Sequence, residues 1–459
     1  MKKFLVVLLS LGLIVAFGAT ASAADVKFGG GYYVVGVYES NPGVMSGDAA
    51  YSHAYFYTRT RLQPVFQIAE GLSFTVRADA LEKQWGNTNW KGGTDDLTAT
   101  RPVTPALAPK RGIQESFEVE RAYVTFLTGI GMFQIGYQNV DDWGTDFGDY
   151  SNSRPRIAFA TKFGPMTLNL TYEKVYESDT AGIAPYINKV DADNDTYAIS
   201  GIYNGKGIEA GLLYKYYVYN CNRPVGVRTD MNQISPYVKA TFGPVYLEGE
   251  ATYWFGKTAK YESPAPATAQ DVKLQAYSAY LKAKVNIGPA YVGGLGAYSS
   301  GNDLSDDTKD TTAKSGGGTN FAPALILMND ALNTWSGGSV VSSPAISSQN
   351  PVTSSKYNII LFNAFAGFNP TPKLNVEAAL TYATVDKKAI SKAGGVVTEA
   401  VSDKLGTEFD VKATYKIYDN LSYMIGAGYL WTGDYFKGAS ATKEIGNDYL
   451  LMNQLTLSF

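Results

Sequence analysis

Arg59 and Arg61 stand two residues apart in "AYFYTRTRLQPVFQI", Arg77 follows in the next apolar-patterned stretch, and Asp141, Asp142, Asp146 and Asp149 crowd into "VDDWGTDFGDY". Guanidinium groups on one side of a narrow aqueous gap and carboxylates on the other make a transverse field, which orients water and sorts charged solutes; rings of charge are a common selectivity device. The plainer alternative is that the arginines only keep a wide lumen wet and the aspartates form an ordinary solvated loop. Other chemistries find little support. His53 is the single histidine and Cys221 the single cysteine, so metal, thiolate-cluster and disulfide chemistry are hard to build. "DADNDT" (191–196) starts like a calcium loop but has Thr196 where the sharp turn needs Gly and Ile202 where a bidentate Glu belongs. "GEATYWFGKT" has the wrong glycine spacing for a phosphate-cradling loop. No enzymatic constellation is singled out, and no cofactor is expected.

Charges at Arg59 and Arg61 can line a gap only if one face of an extended element carries them. Around them Phe56, Leu62, Phe66 and Ile68 share one parity, while Tyr57, Arg59, Arg61, Gln63 and Gln67 share the other. Period two is the signature of a strand with one apolar and one wet face. The next segment repeats it, setting Leu72, Phe74, Val76, Ala78 and Ala80 against Ser73, Thr75, Arg77, Asp79 and Lys83. The pattern recurs at "MTLNLTY", "SPYVKATF", "LNVEAAL" and "FDVKATYKI". Connections alternate between tight turns ("AEG", "GIG", "GP", "GKG", "GP", "GP", "NPTP", "DN") and long polar loops, of which 85–112 and 300–354 are the longest. Eight turns and nine loops give 18 antiparallel strands with both ends on the short-turn side, or 16 if one hairpin is miscounted.

Composition decides where such a sheet lives. Charged residues are 18% of the chain, below the ~25% of ordinary soluble domains, and 39 basic against 42 acidic residues leave no overall field for nucleic acid. A soluble sandwich would need helices or a second sheet to cover strands of this length. A bilayer supplies that cover to strands of about 9–11 residues, and closure into a barrel removes edges that lipid cannot satisfy. The fold class is therefore all-β, a transmembrane antiparallel β-barrel, with Tyr123, Tyr172, Tyr203, Tyr253, Tyr415 and Tyr429 suited to interfacial girdles. Lys2 and Lys3, the run "FLVVLLSLGLIVAF" and Ala21-Ser22-Ala23 read as a cleaved secretory signal over 1–23, leaving 24–459 as one barrel.

The chain ends "NQLTLSF", with Tyr449, Leu451, Leu455, Leu457 and Phe459 on one parity and Asn453 interrupting it. In this the chain resembles Gram-negative outer-membrane porins of the general diffusion type, whose last strand ends on Phe and is read by the barrel-assembly machinery. Tyr449, Leu455, Leu457 and Phe459 occupy that position. Residues 133–173 are similar to the porin segment in which the fifth strand runs into the third external loop and returns through an Arg-bearing strand. The resemblance implies an inward-folded third loop carrying Asp141, Asp142, Asp146 and Asp149, with Trp143 and Phe147 available to pin it. It also implies a facing basic ladder, for which Lys27, Arg59, Arg61, Arg77 and Arg121 stand at matching positions. Glu118 and Glu120 share a parity with Val124 and Phe126, so either a bulge precedes Arg121 or that strand faces a neighbouring subunit. The further implications are a homotrimer in contact with outer-membrane lipid and lipopolysaccharide, exposed to small hydrophilic solutes and ions.

One segment stands apart. Within 300–354, "SGGGTNFAPALILMNDALNTWSGGSVVSSP" embeds an apolar stretch between Gly/Ser linkers, and Phe321, Leu325, Met328, Leu332 and Trp335 fit one helical face. Packing on the rim is the favoured expectation, with occupancy of the lumen as the alternative. The expected function is a water-filled channel for passive diffusion of ions and small hydrophilic solutes. A solute-specific channel, or a structural or surface-interaction barrel with an incidental pore, are the alternatives.

Overall fold

The computed structural model describes residues 25–85, 117–177, 191–262, 268–315, 318, 321–329, 331–332 and 357–459. The expected signal segment lies outside them. The strands are β1 (Asp25–Glu39), β2 (His53–Ala69), β3 (Leu72–Gln84), β4 (Phe117–Thr128), β5 (Gly131–Val140), β6 (Asn152–Phe163) and β7 (Met166–Tyr176). Next come β8 (Asn194–Gly205), β9 (Ile208–Tyr219), β10 (Val227–Phe242), β11 (Val245–Tyr261), β12 (Val272–Ile287), β13 (Ala290–Ser299) and β14 (Lys309–Asp310). The last are β15 (Ile359–Thr371), β16 (Leu374–Thr384), β17 (Ala389–Ala393), β18 (Val396–Glu399), β19 (Lys404–Tyr418), β20 (Leu421–Thr432) and β21 (Asp448–Ser458).

All but three of these form a closed antiparallel barrel of 18 strands, each paired with its neighbour in sequence and β21 paired back onto β1. The exceptions are β14, which adds two residues in parallel to β12, and the small β17–β18 hairpin in the 384–404 loop. Closure answers the backbone problem that lipid poses, since every strand of the wall finds a partner on both sides. At the seam the register runs from Gly31↔Ser458 to Glu39↔Leu450, and Gly30 and Phe459 exchange backbone hydrogen bonds of 2.8 and 3.1 Å. Glycine at position 30 is required here, because a Cβ would run into the Arg61 carbonyl oxygen of β2 and lie 2.9 Å from the Phe459 ring.

Three of the tight turns are Gly-Pro pairs in which Gly164, Gly243 and Gly288 have φ near +58°. Proline cannot follow them into positive φ, which excludes a type I′ turn and leaves glycine as the first residue of a II′-type hairpin. The outer face is apolar: Phe28, Leu281 and Phe362 are each at least 60% exposed from the protein, as lipid-facing side chains must be. Rings gather at its two margins, Phe126–Phe133–Phe159 towards the short turns and Tyr172–Tyr197 and Tyr253–Tyr277 towards the long loops. Tyr123 departs from the girdle expected of it. Its neighbours Ala122 and Val124 share the outward parity, and Tyr123 turns to the lumen opposite Gly136.

Two bulges refine the alternation read from the sequence. At Leu81, with φ at 52°, β3 carries an extra residue relative to β2, so that Glu82 rather than Lys83 takes up the inward row. In β4 the pairing steps from Arg77↔Arg121 to Ala78↔Val119, leaving Glu120 as the extra residue. The bulge lets Glu120 and Arg121 both reach the lumen, and of the two explanations for the glutamates on this strand it is the one realised.

Candidate functional site

The arginines of the early strands form a continuous inward row, but their partners are on the wall itself. Arg61 holds Asp79 in a two-pronged bond of 2.7 and 2.6 Å, and Arg77 meets Glu120 at 2.5 Å. Arg59 stands 3.6 Å from Glu82 and 3.9 Å from Asp79, with its guanidinium 4.9 Å over the Tyr33 ring. Carboxylates from β3 and β4 thus interleave with guanidiniums from β2 and β3, which explains how Asp79 can be fully buried in this row. Lys27 lies apart, exposed and paired with Val65 near the short-turn end.

Residues 141–151 leave β5 and fold into the barrel as the third external loop. Asp141 meets Lys215 of β9 at 2.7 Å and Arg154 of β6 at 3.2 Å. Burial pushes its carboxyl up, yet Lys215 and Arg154 outweigh that and hold it below the usual carboxylate range. Trp143 donates to the Ser235 carbonyl at 3.0 Å and meets Tyr237 edge-on. The Thr145 amide and hydroxyl donate to one oxygen of buried Glu250, at 2.7 and 2.8 Å. Phe147, 2% exposed, stacks on Tyr280 at 5.3 Å. The loop is therefore a chord from β5 to the wall formed by β10, β11 and β12. Gly144 and Gly148 let it lie against Glu250, since a Cβ at either would run into that carboxylate.

The expected confrontation between arginines and loop aspartates is realised at one point and indirectly. Arg121 donates to Asn139 at 2.9 Å, and Asn139 donates in turn to Asp142 at 2.9 Å. Asp141 belongs to the cations of β6 and β9, Asp146 is exposed, and Asp149 sits against Gly318.

The second inward segment comprises Gly318 and residues 321–329 and 331–332. Rim packing was the expectation, and the structure places these residues in the lumen instead. Phe321 packs edge-on against both Phe147 and Tyr280, and the Gly318 amide donates to the Phe147 carbonyl at 2.9 Å. Ile326, Leu327, Met328 and Leu332 are fully buried against inward residues Val35 and Val37 of β1, Leu361 of β15, Leu405 of β19 and Leu450 of β21. Bends and turns replace the expected continuous helix over 323–328, and Trp335 lies outside the described residues. The compact path needs its own acceptors: Glu408 takes the amides of Ile326 and Leu327 at 2.6 and 2.7 Å, and Asp410 that of Leu325 at 3.4 Å. Three successive amides facing two wall carboxylates fix the segment where hydrophobic contact alone would let it slide.

Between the chord and the wall from β6 to β11 lies a chamber of about 370 Å³. It is lined by four acids, Asp141, Asp142, Glu173 and Glu250, and by Arg154, Arg156, Lys215 and Lys314, the last of which pairs with Asp310 outside the chamber. None of these chamber contacts could be placed from sequence; for the apolar inward segment, by contrast, the run "YYVVGVY" of β1 signals a strand covered on both faces.

At the closed seam, Tyr449 and Phe459 are 42% and 53% exposed on the outer face, and Leu455 and Leu457 share that parity. No protein-family model matches the chain, and no curated protein sequence does. Among solved structures the barrel is similar to Acinetobacter baumannii OccAB2, with a TM-score of 0.51 and 10% identity over 96% of this chain and 99% of that one. It is also similar to Pseudomonas aeruginosa OccK2 (OpdF) in complex with glucuronate, with a TM-score of 0.50 and 11% identity over 96% and 99% of the two chains. For Pseudomonas aeruginosa OccK8 (OprE) the TM-score is 0.50 and the identity 9%, over 94% and 98%. The chain has the 18-stranded barrel fold of Gram-negative outer-membrane porins.

Proposed function

We propose that this chain is an outer-membrane channel for passive diffusion of ions and small hydrophilic solutes. The observation that carries the reading is the pairing of an apolar exterior with a charged inner row running through Arg59, Arg61, Arg77 and Arg121. Such a row is costly inside a dry core and natural along water. The constriction lies where this row, the third loop with Asp141, Asp142, Asp146 and Asp149, and the second inward segment approach one another, while Lys27 guards the short-turn mouth. Long loops face outward beside lipopolysaccharide, and short turns face the periplasm. The signal over 1–23 directs export, the barrel-assembly machinery reads the strand ending in Phe459, and three copies assemble as a trimer.

A solute-specific channel is the second reading, favoured by the two segments that narrow the lumen. Its occupation by the second inward segment also gives weight to a surface-interaction barrel with an incidental pore. Planar-bilayer recordings of the purified protein separate these. Stable ohmic current in potassium chloride, with solute flux that does not saturate, is expected of a diffusion channel; saturable flux selects the specific one. A folded barrel that carries no current overturns the channel reading.

A further inference from the structure

We propose that the chamber behind the third loop is a binding site for a neutral, polyhydroxylated solute of mono- to disaccharide size. This rests on the channel reading only for the route by which the solute arrives.

The chord from β5 to β11 separates the chamber from the arginine row of β2 to β4, so it is a compartment distinct from the constriction. Its volume of about 370 Å³ falls at the small end of the ~300–1,000 Å³ typical of small-molecule sites. Its cations are engaged within the structure: Arg154 pairs with Asp141 at 3.2 Å, Lys314 with Asp310 at 2.6 Å, and Arg156 lies 3.9 Å from Glu173. Lys215 binds Asp141 at 2.7 Å and Glu173 at 2.9 Å; Arg156 donates to the Asn139 carbonyl at 2.8 Å; and Glu250 is held by Thr145. An entering ion would have to break one of these buried pairs, whereas a neutral solute leaves them intact.

What remains to meet a ligand is uncharged. Asn169 donates to Ser200 at 3.2 Å, which leaves the second amide hydrogen, the amide oxygen and the serine hydroxyl hydrogen with capacity for further bonds. The Tyr219 ring meets Tyr217, whose face carries the Lys215 ammonium at 5.2 Å, edge-on at 5.8 Å and 84°, making an aromatic corner in which Tyr219 is the ring left for a ligand, and Trp143 closes the chamber from the loop side. Flat apolar rings beside amide and hydroxyl groups match a sugar, whose ring carbons offer a C–H face and whose edge offers hydroxyls. A carboxylate-bearing solute of the same size would gain nothing from the rings that a sugar does not, would meet Asp142 and Glu173, and would find Arg154, Lys215 and Lys314 already paired, leaving it only the Arg156 Nε among the lining cations.

The test is equilibrium titration of the folded, detergent-solubilised full-length protein with glucose, sucrose and glucuronate, read by tryptophan fluorescence and calorimetry. Potassium chloride conductance is measured in parallel. The expected result is saturable binding of glucose or sucrose, weaker binding of glucuronate, and a roughly tenfold or greater loss of sugar affinity in both Tyr219→Ala and Asn169→Ala. Heat-modifiable mobility on gels reports that each variant is folded, and Tyr219→Phe, which keeps the ring, should retain most of the affinity. Conductance without saturable sugar binding overturns the proposal and leaves the channel reading standing. Sugar binding without conductance supports the site and removes the channel reading. Glucuronate binding more tightly than glucose overturns the assignment to neutral solutes.

Discussion

Phe147 joins the two inward segments, and replacing it with alanine should loosen the docking of the third loop against the wall. Its ring is 2% exposed, stacked on Tyr280 at an interplanar angle of 10° and edge-on to Phe321 at 83°. Truncating a buried Phe to Ala typically costs about 3–5 kcal/mol, and each ~1.4 kcal/mol is a factor of ten, so the undocked loop should gain roughly two to three and a half orders of magnitude in population. The barrel wall does not depend on this contact, since Phe147 lies in no strand, so the folded band on gels should persist. Thr145 and Glu250 still tether the chord, hence the expected phenotype is frequent excursions to a larger conductance rather than a permanently open pore. Single-channel recording resolves this directly, with Phe147→Leu expected to fall between the wild type and Phe147→Ala. If Phe147→Ala folds and its conductance and opening frequency match the wild type, the stack does not hold the loop and the reasoning fails.

Lys215→Met should lower the thermal midpoint of the folded band, because Asp141 and Glu173 lose their shared cation inside the lumen; breaking a buried pair of this kind costs about 3–5 kcal/mol, and adding Glu173→Gln should restore part of it. Asp141 has a depressed carboxyl, so its contribution to docking the third loop is present above the unfolded value near ~3.9 and is lost as pH falls through the lower folded value. The difference in conductance between wild type and Asp141→Asn should therefore stay constant from pH 7 to pH 5 and vanish only in stronger acid; a difference that decays by pH 6 would contradict the pairing. Deletion of Phe459 removes a half-exposed ring and its backbone bonds to Gly30, and pulse-chase should show slowed appearance of the folded band, largely restored by Phe459→Trp. Cys221 is exposed in the loop after β9, on the long-loop side, so a membrane-impermeant thiol reagent should label it on intact cells; labelling only after lysis would invert the topology.

The alternation of side chains was enough to place the wall. Every strand counted from tight turns and long loops is present, because a lipid face and a wet face impose the same period along the whole sheet. What periodicity cannot contain is an inserted residue. The bulges at Leu81 and Glu120 each flip the parity behind them, and only the cross-strand register shows that Glu82 and Glu120 join the arginine row. The inward turn of the third loop was implied by the resemblance of residues 133–173 to the porin segment, but its attachment through Glu250 and Tyr280 links residues more than a hundred positions apart. The second inward segment was misplaced for a related reason: an apolar run with glycine linkers looks the same whether it caps a rim or enters a barrel. The receiving surface did leave a trace. "YYVVGVY" in β1 and "YLLM" in β21 lack the alternation of a lipid-and-water strand, since their inward side chains meet protein rather than water.

The interleaving of Asp79, Glu82 and Glu120 with the arginines changes what that row can do to a passing ion. A bare file of guanidiniums would attract anions from a Debye length away, about 8 Å in physiological salt. Here Arg59, Arg61 and Arg77 each have a carboxylate within 4 Å, so along this part of the row the two fields cancel at a distance and survive only in contact. Such a wall cannot steer anions from the mouth of the pore. It can discriminate only among solutes already squeezed against it, by offering to exchange one partner of an existing pair. Selection by charge is then a matter of intimate fit, and it should be nearly indifferent to added salt.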